Sequence, residues 1–267
     1  MAEKESLPII SFCIPTYNSI DTVISAIKSI DVSYPSEIIV VDNESTDGTS
    51  LEVEHLSMEN VRLIVKKTTR GEARNLAAEN AVGKYVAMID ADVDYNGMEN
   101  AIEAYLDVEN HEKKLVLILP HESPNGNTPM IITTRELFLY LGGYPRLTGS
   151  EDKYLFAVAE TLGMFKEIRM DIGFKPLILR GMTSGDERRY SRNRLDAIKR
   201  RLKINRDMIF VYRPGYRHFR DHLKLHGISG NIIGVSEYIL GEIMAIFVSD
   251  ETVKERVKRL RSRTMDS

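Results

Sequence analysis

Two acidic pairs and two arginines are the residues whose types and spacing suit joint chemistry. Asp90 and Asp92 flank Ala91 at the end of the apolar run YVAMI. Two carboxylates one residue apart at a strand end offer hard oxygen ligands that suit Mg²⁺ or Mn²⁺. A cation held by one or two protein carboxylates is commonly completed by substrate phosphates. Arg70 and Arg74 lie near enough in sequence to bring positive charge to the same phosphates. A second acidic pair, Glu151-Asp152, opens a helical stretch, where an acid also favours the helix dipole. Polar residues follow two further apolar runs: Pro15-Thr16-Tyr17-Asn18, and Asp42-Asn43-Glu44-Ser45-Thr46-Asp47-Gly48-Thr49. Singly, each is ordinary. Asp-x-Asp is a common solvated turn, Asn18 or Ser19 serves as a helix N-cap, and Ser45 to Thr49 is turn chemistry. Their meaning lies in their order and in the sheet edge they would share.

The elements that must position them follow from periodicity. Short apolar runs predict strands at residues 9–14, 37–41, 61–65, 85–89 and 115–119. Between them, three- and four-residue apolar spacing or strong helix formers predict helices at 19–30, 47–56, 71–81 and 97–106. Strands joined by helical crossovers imply a mostly parallel sheet flanked by helices. Continuous rather than alternating apolar strands fit a sheet covered on both faces. Ligands of such sheets bind outside the carboxyl ends of the strands, which is where the polar residues fall. Beyond residue 120 the pattern loosens. It predicts a loop at 121–129, a short strand at 130–133, helical turns at 135–141, a helix at 151–162 and a strand at 175–179.

Composition narrows the class. The 267 residues are 43% hydrophobic and 28% charged, as in globular proteins, which excludes wholesale disorder, collagen-like repeats and a disulfide scaffold. The single cysteine, Cys13, excludes an intrachain disulfide and a cysteine-based zinc finger. Residues 1–8 lack an apolar core for a signal peptide, and no charge-free stretch reaches the roughly 18 residues of a membrane span. A cytoplasmic protein is expected. The net charge of −3 conceals an asymmetry: residues 1–179 carry 16 basic against 28 acidic side chains, and residues 180–226 carry 14 against 5. A basic segment on an acidic body points to an anionic partner there, either a phosphate-bearing ligand or a membrane surface.

The ordered set Pro15-Thr16-Tyr17-Asn18, Val41 to Thr49, Gly71-Glu72-Ala73-Arg74-Asn75 and Ile89-Asp90-Ala91-Asp92 resembles family 2 glycosyltransferases. Leu141-Gly142-Gly143-Tyr144-Pro145 and Glu151-Asp152 resemble the family's Gly-Gly-aromatic turn and its Glu-Asp pair. The resemblance covers residues 8–165. It implies the GT-A fold, a Rossmann-like sheet flanked by helices, over residues 1–180. A nucleotide-sugar half would span about 1–95 and an acceptor half about 96–180. Residues 181–267 would form a basic, helical C-terminal extension that matches no family pattern.

The resemblance also implies the function: inverting transfer of a sugar from a nucleotide-diphospho-sugar, UDP-sugar favoured, to an acceptor hydroxyl, with Mn²⁺ or Mg²⁺. Pro15, Thr16, Tyr17 and Asn18 would line the nucleotide pocket. Asp42, with Asn43 beside it, would accept a hydrogen bond from the base. Arg70 and Arg74 would reach the diphosphate or the base. Asp90 and Ala91 would touch the ribose or a metal-bound water, and Asp92, with Asp90, would hold the metal. Asp152 would be the catalytic base, with Glu151 as its alternative or its orienter. Asp94 ranks below Asp92 as a ligand. The absence of tryptophan, and of a Gln-x-x-Arg-Trp motif, separates the chain from processive polysaccharide synthases. Two alternatives are a sugar-nucleotide pyrophosphorylase, which would want a Gly-rich N-terminal loop, and a degenerate nucleotide-sugar-binding module.

The expected acceptor is a glycan or lipid-linked glycan. The basic run from Arg188 to Arg206 and the apolar stretch 231–248 predict peripheral contact at the inner membrane face. Residues 181–189 read as a lid loop, and helices are expected at 191–205, 216–226 and 231–248. His218, His222 and His226 fall on one face of such a helix, and a half-buried surface explains them better than a metal site. No recognition motif accompanies the basic run, so nucleic acid is not an expected partner.

Overall fold

The computed structural model describes residues 9–121, 128–144 and 151–177. The basic extension and the features expected within it lie outside the described residues. These features are the lid loop at 181–189, the helices to 248 and the three histidines.

Seven strands form one sheet: β1 (Ile10–Thr16), β2 (Ser36–Asp42), β3 (Val61–Val65), β4 (Tyr85–Met88), β6 (Leu115–Pro120), β7 (Met130–Thr134) and β8 (Phe165–Met170). Their spatial order is β3-β2-β1-β4-β7-β6-β8. A separate two-stranded ribbon pairs β5 (Val93–Asn96) with β9 (Gly173–Pro176). The helices are α1 (Val23–Lys28), α2 (Thr49–His55), α3 (Arg70–Asn80), α4 (Met98–His111), α5 (Arg135–Tyr140) and α6 (Glu151–Thr161).

Helices cover both faces, as the continuous apolar strands require. Inward residues of α1, α2 and α4, such as Ile27, Val53, Ile102 and Tyr105, pack with Ile10, Phe12 and Ile14. On the opposite face α3, α5 and α6 bury Ala77, Phe138 and Leu155 against Cys13, Ile39 and Val41. Each fully buried aliphatic or aromatic side chain contributes about 1.5–3 kcal/mol, so both layers are needed to hold the sheet. Alanines at 73, 77 and 78 line the inner face of α3. Small side chains there let the helix lie close to β1 and β2.

The chain winds outward through β1, β2 and β3, then returns to place β4 on the other side of β1. The crevice between the carboxyl ends of β1 and β4 is therefore the switch point of the sheet, where open α/β sheets bind ligands. Register aligns Thr16 with Asp42 across β1 and β2, and Cys13 with Met88 across β1 and β4. The polar segments after β1, β2 and β4 thus share one edge, as expected.

The sheet is mostly parallel, as expected, but other expectations need correction. β7 runs antiparallel to both β4 and β6. Its sequence MIITT is buried throughout, and a short buried run of this kind carries no sign of strand direction. β5 and β8 are additional strands. α1 begins at Val23 with Thr22 as N-cap and no side-chain cap bond, so neither Asn18 nor Ser19 caps it. Asn18 instead adopts φ +48° and turns to the loop after β2. The strand expected at 175–179 is β9, two residues earlier, paired to β5. Among the described residues no helix is long and apolar enough to cross a membrane.

Candidate active site

The loops after β1 and β2 are stapled to each other. Asn18 N–H donates to Ser45 Oγ at 2.8 Å, and Thr46 N–H donates back to Asn18 Oδ1 at 2.9 Å. Ser19 N–H donates to Thr49 Oγ1 at 2.9 Å and Ile20 N–H to Asp47 Oδ2 at 3.2 Å. Asp42 is fully buried beneath these loops and accepts hydrogen bonds from the Ser45 and Ser50 hydroxyls and from Ser45 N–H. Asn43 N–H donates to Thr16 carbonyl oxygen at 3.0 Å, while Asn43 Oδ1 accepts from Thr68 N–H at 2.8 Å. Pro15, Thr16, Tyr17, Asn18, Asp42 and Asn43 thus form one rigid rim. Tyr17 is 44% exposed there, and the buried Thr16 hydroxyl has no partner among the described residues.

Asp90, Ala91 and Asp92 turn away from the end of β4 at the other lip of the crevice. Asp90 N–H donates to Tyr95 Oη at 2.6 Å. Tyr95 is fully buried edge-to-face on Phe174, with 4.9 Å between ring centroids. Leu177 N–H donates to Asp92 carbonyl oxygen at 2.8 Å. The β5–β9 ribbon therefore fixes the acidic turn from both sides. Asp94 pairs with Lys175 at 3.3 Å, which gives it a partner other than a metal ion.

Helix α3 opens on a capping box: Thr69 Oγ1 accepts from Glu72 N–H, and Glu72 Oε2 accepts from Thr69 N–H at 2.8 Å. This cap aims the first turn of α3 into the crevice. Arg74 is buried there and serves three carboxylates. Its Nη2 donates to Asp90 Oδ1 at 2.7 Å, and its Nη1 donates to Glu151 Oε1 at 2.8 Å and to Asp152 Oδ1 at 3.1 Å. Arg70 forms a two-pronged pair with Glu151 through Nε and Nη2. The guanidinium expected on the base or diphosphate is held within a carboxylate cluster, and Arg70 keeps 42% of its side chain exposed.

The two acids of the Glu-Asp pair differ sharply. Glu151 is fully buried. Burial opposes its charge, but the Arg70 hydrogen bonds and the charges of Arg70 and Arg74 prevail and hold its carboxyl below the usual range. Asp152 leaves 32% of its side chain open. Desolvation pushes its carboxyl above the usual range, with Glu151 and Asp90 adding to the rise against the opposing pull of Arg74. One acid is a fixed anion. The other is a less acidic carboxylate with an accessible edge.

Tyr144, unassigned by the sequence, lies under this cluster with its ring centroid 5.2 Å from Arg74 Cζ. Asn75 holds the backbone of Tyr144 through two 2.8 Å hydrogen bonds. Tyr95 likewise escaped the sequence reading. The motifs that end in Asn75 and contain Gly142-Gly143-Tyr144 mark Asn75 and Tyr144 in advance but not their contact; the two glycines have φ +85° and +63°. The structure thus gathers Arg70, Arg74, Asp90, Glu151 and Asp152 into one network, beside the rim of Thr16, Asn18, Asp42 and Asn43.

The donor set at Asp90-Ala91-Asp92 fits a hard divalent cation. It offers oxygen ligands only, from two carboxylates on a braced turn, the number that leaves coordination positions for phosphate oxygens. Among the described residues no group of three or more His, Cys, Asp or Glu is placed to hold a metal, so a cation here would rely on the substrate for further ligands.

Residues 11–159 match Glycosyl transferase family 2. A segment of the chain is 37% identical over 91 residues to the putative teichuronic acid biosynthesis glycosyltransferase TuaG of Bacillus subtilis, covering 32% of this chain and 36% of that protein. Another alignment is 31% identical over 88 residues to the UDP-Glc:alpha-D-GlcNAc-diphosphoundecaprenol beta-1,3-glucosyltransferase WfgD of Escherichia coli, covering 32% and 35%. The chain therefore spans only about a third of the length of these curated relatives. Among solved structures, S. aureus TarS 1-349 in complex with UDP-GlcNAc superposes with a TM-score of 0.61 at 18% identity, covering 94% of this chain and 83% of that one. Mannosyltransferase PcManGT from Pyrobaculum calidifontis, in complex with GDP-Man and Mn²⁺, gives 0.53 at 17%, covering 95% and 85%. The chain belongs to glycosyl transferase family 2, and its fold is GT-A.

Proposed function

We propose that this family 2 member transfers a sugar from a nucleotide-diphospho-sugar to an acceptor hydroxyl with inversion at the anomeric carbon. The observation that carries the reading is the Arg74 cluster. One buried guanidinium joins Asp90, on the donor side of the crevice, to Asp152, on the acceptor side. The rim of Thr16, Tyr17, Asn18, Asp42 and Asn43 then receives the nucleotide. The family resemblance assigns Asp42 to a uracil N–H; with no exposed surface and both carboxylate oxygens held by Ser45 and Ser50, Asp42 makes that contact only when the loop after β2 opens. The wider preference for UDP is drawn from the family resemblance.

Asp152 acts as general base. Its carboxylate takes the proton of the acceptor hydroxyl as the acceptor oxygen bonds to the anomeric carbon. The bond from that carbon to the diphosphate oxygen breaks on the opposite face, and its electron pair leaves with the nucleoside diphosphate. A raised carboxyl suits this role because a stronger base at neutral pH receives the proton more readily. Glu151 orients rather than reacts, since both of its oxygens are taken up by Arg70 and Arg74. Asp92 and Asp90 would hold Mn²⁺ or Mg²⁺, which offsets negative charge on a leaving diphosphate. The half-exposed Arg70 adds positive potential at the mouth of the same crevice.

The acceptor is taken to be a glycan or lipid-linked glycan, in keeping with the similarity to a teichuronic acid biosynthesis glycosyltransferase and to a glucosyltransferase acting on GlcNAc-diphosphoundecaprenol, and with the basic residues after 180. A thermal-shift panel of UDP, GDP, CDP and dTDP, with and without Mn²⁺, tests the donor half. UDP with Mn²⁺ is expected to raise Tm most. At 100 times Kd a ligand adds about 2.7 kcal/mol, or several degrees for a domain of this size. No shift with any nucleotide would overturn the donor site.

A further inference from the structure

We propose that Asn75 and Tyr144 form a strut that positions the catalytic carboxylate of Asp152 through Arg74. The inference rests on the reading of Asp152 as base and adds two positioning residues to it.

Asn75 directly follows Arg74 in α3. Its Nδ2 donates to the Tyr144 carbonyl oxygen at 2.8 Å, and its Oδ1 accepts from Tyr144 N–H at 2.8 Å. A single carboxamide thus clamps one residue of the far chain from both sides, 69 positions away in sequence. The approach is close enough to require glycine at 143. A Cβ built there would lie 2.5 Å from Asn75 Oδ1 and 3.3 Å from Phe138 Cε1, at φ +63°.

The clamp fixes where the Tyr144 ring sits. The ring is 1% exposed, tilted on Phe138 at 5.7 Å between centroids, and presents its face to Arg74. A guanidinium over an aromatic face is attracted by the negative face of the ring, more strongly when both are desolvated. The hydroxyl of Tyr144 has no partner among the described residues, so the ring face and not the hydroxyl is the functional part. Burial also keeps that hydroxyl un-ionised, so the ring remains neutral.

Arg74 needs such a support. Its Nε is buried without a partner among the described residues. Its two Nη atoms grip carboxylates that belong to different segments, Asp90 after β4 and Glu151 and Asp152 in α6. A guanidinium held only by its tips can still swing as a rigid plane about the Cδ–Nε bond. The ring beneath it restricts that swing and so holds Nη1 toward Asp152. Asn75 and Tyr144 touch no reacting atom in this scheme. They act on geometry, and misplacement of a reacting group by about 1 Å can reduce a rate by roughly a hundredfold.

The test uses the full chain and the release of UDP from UDP-glucose and UDP-GlcNAc, with water as acceptor. Tyr144→Leu and Asn75→Ala are each expected to lower kcat at least about tenfold, with KM for the donor within about twofold of wild type. Tyr144→Phe, which keeps the ring, is expected to rescue most of the kcat lost in Tyr144→Leu. A UDP-induced rise in Tm in each variant shows that the donor site is intact. Three results overturn the strut. The first is kcat near wild type in both Tyr144→Leu and Asn75→Ala. The second is a loss in Tyr144→Phe equal to that in Tyr144→Leu. The third is failure of Tyr144→Leu and Asn75→Ala to fold, which would assign the pair to stability alone. Asp152→Asn run alongside separates the two readings: if it retains UDP release the base assignment fails, whereas its inactivity beside an active Tyr144→Leu removes only the strut.

Discussion

Asp152 accepts a 3.1 Å hydrogen bond from Arg74 Nη1 while a third of its side chain stays open to the crevice. Its neighbour Glu151 has no exposed side-chain surface and is gripped by both Arg70 and Arg74. Two adjacent acids thus have opposite environments and opposite shifts, the pattern that separates a proton acceptor from a fixed anion.

The first prediction concerns pH. Asp152 is raised from its ordinary value of 3.8, chiefly by desolvation. A base must be ionised to accept a proton, so kcat/KM for UDP release should fall as pH drops through this raised value. The acidic limb should therefore lie above the ordinary aspartate range and should vanish in Asp152→Asn. A profile flat down to pH 4 would contradict the assignment.

Removing the hub should be severe. Arg74→Ala strips the counter-charge from Glu151 and Asp152 in a buried site, and breaking a buried pair from one side costs about 3–5 kcal/mol. Arg74→Lys keeps the charge but cannot reach three carboxylates with one ammonium, so it should fold better than Arg74→Ala and still lose most of the turnover. Chemical denaturation of the two variants measures the difference. Equal stability of Arg74→Ala and wild type would remove Arg74 from the centre of the account.

The Gly-Gly turn gives a purely structural test. Gly143→Ala combines a left-handed φ with a clash on Asn75, a sum of about 2–5 kcal/mol. Gly163→Ala has a similar φ of +69° but no atom within 4 Å of the added Cβ, so it should cost only about 1–2 kcal/mol. Thermal melts of the pair should therefore rank Gly143→Ala well below Gly163→Ala. The reverse order would refute the close approach of Asn75.

Asp92→Asn tests the cation site by binding. It removes one of the two carboxylates in the braced turn. The Mn²⁺ concentration needed for the full UDP-dependent Tm shift should rise at least about tenfold, or about 1.4 kcal/mol. The shift by UDP without metal should be unchanged. An unaltered Mn²⁺ requirement would place the cation elsewhere.

Much of this arrangement was legible in the sequence, for definable reasons. The buried strands β1, β2, β4 and β6 are short continuous apolar runs, and turn residues follow them, so both the sheet and its ligand edge could be read. β5 was hidden because VDYN is polar and sits in an acid-rich loop. β8 was hidden because FKEIRM is an edge strand with exposed Lys166, Glu167 and Arg169. α1 was overestimated because residues 18–20 spend their backbone groups on the loop after β2 rather than on a helix. The acids and arginines of the site were identifiable by motif, but their partners were not. Arg74 meets Glu151 across 77 positions and Asn75 meets Tyr144 across 69, separations at which no periodicity carries information.

The central claim is that Asp152 takes the acceptor proton while Arg74 and Glu151 hold it in place. Asp152→Asn keeps the shape of the side chain and removes its basicity, so UDP release from UDP-glucose and UDP-GlcNAc measures that claim directly. The account predicts a fall of about 10²–10⁴-fold, with the UDP- and Mn²⁺-dependent rise in Tm preserved. Release within tenfold of wild type, at an unchanged Tm shift, would contradict it.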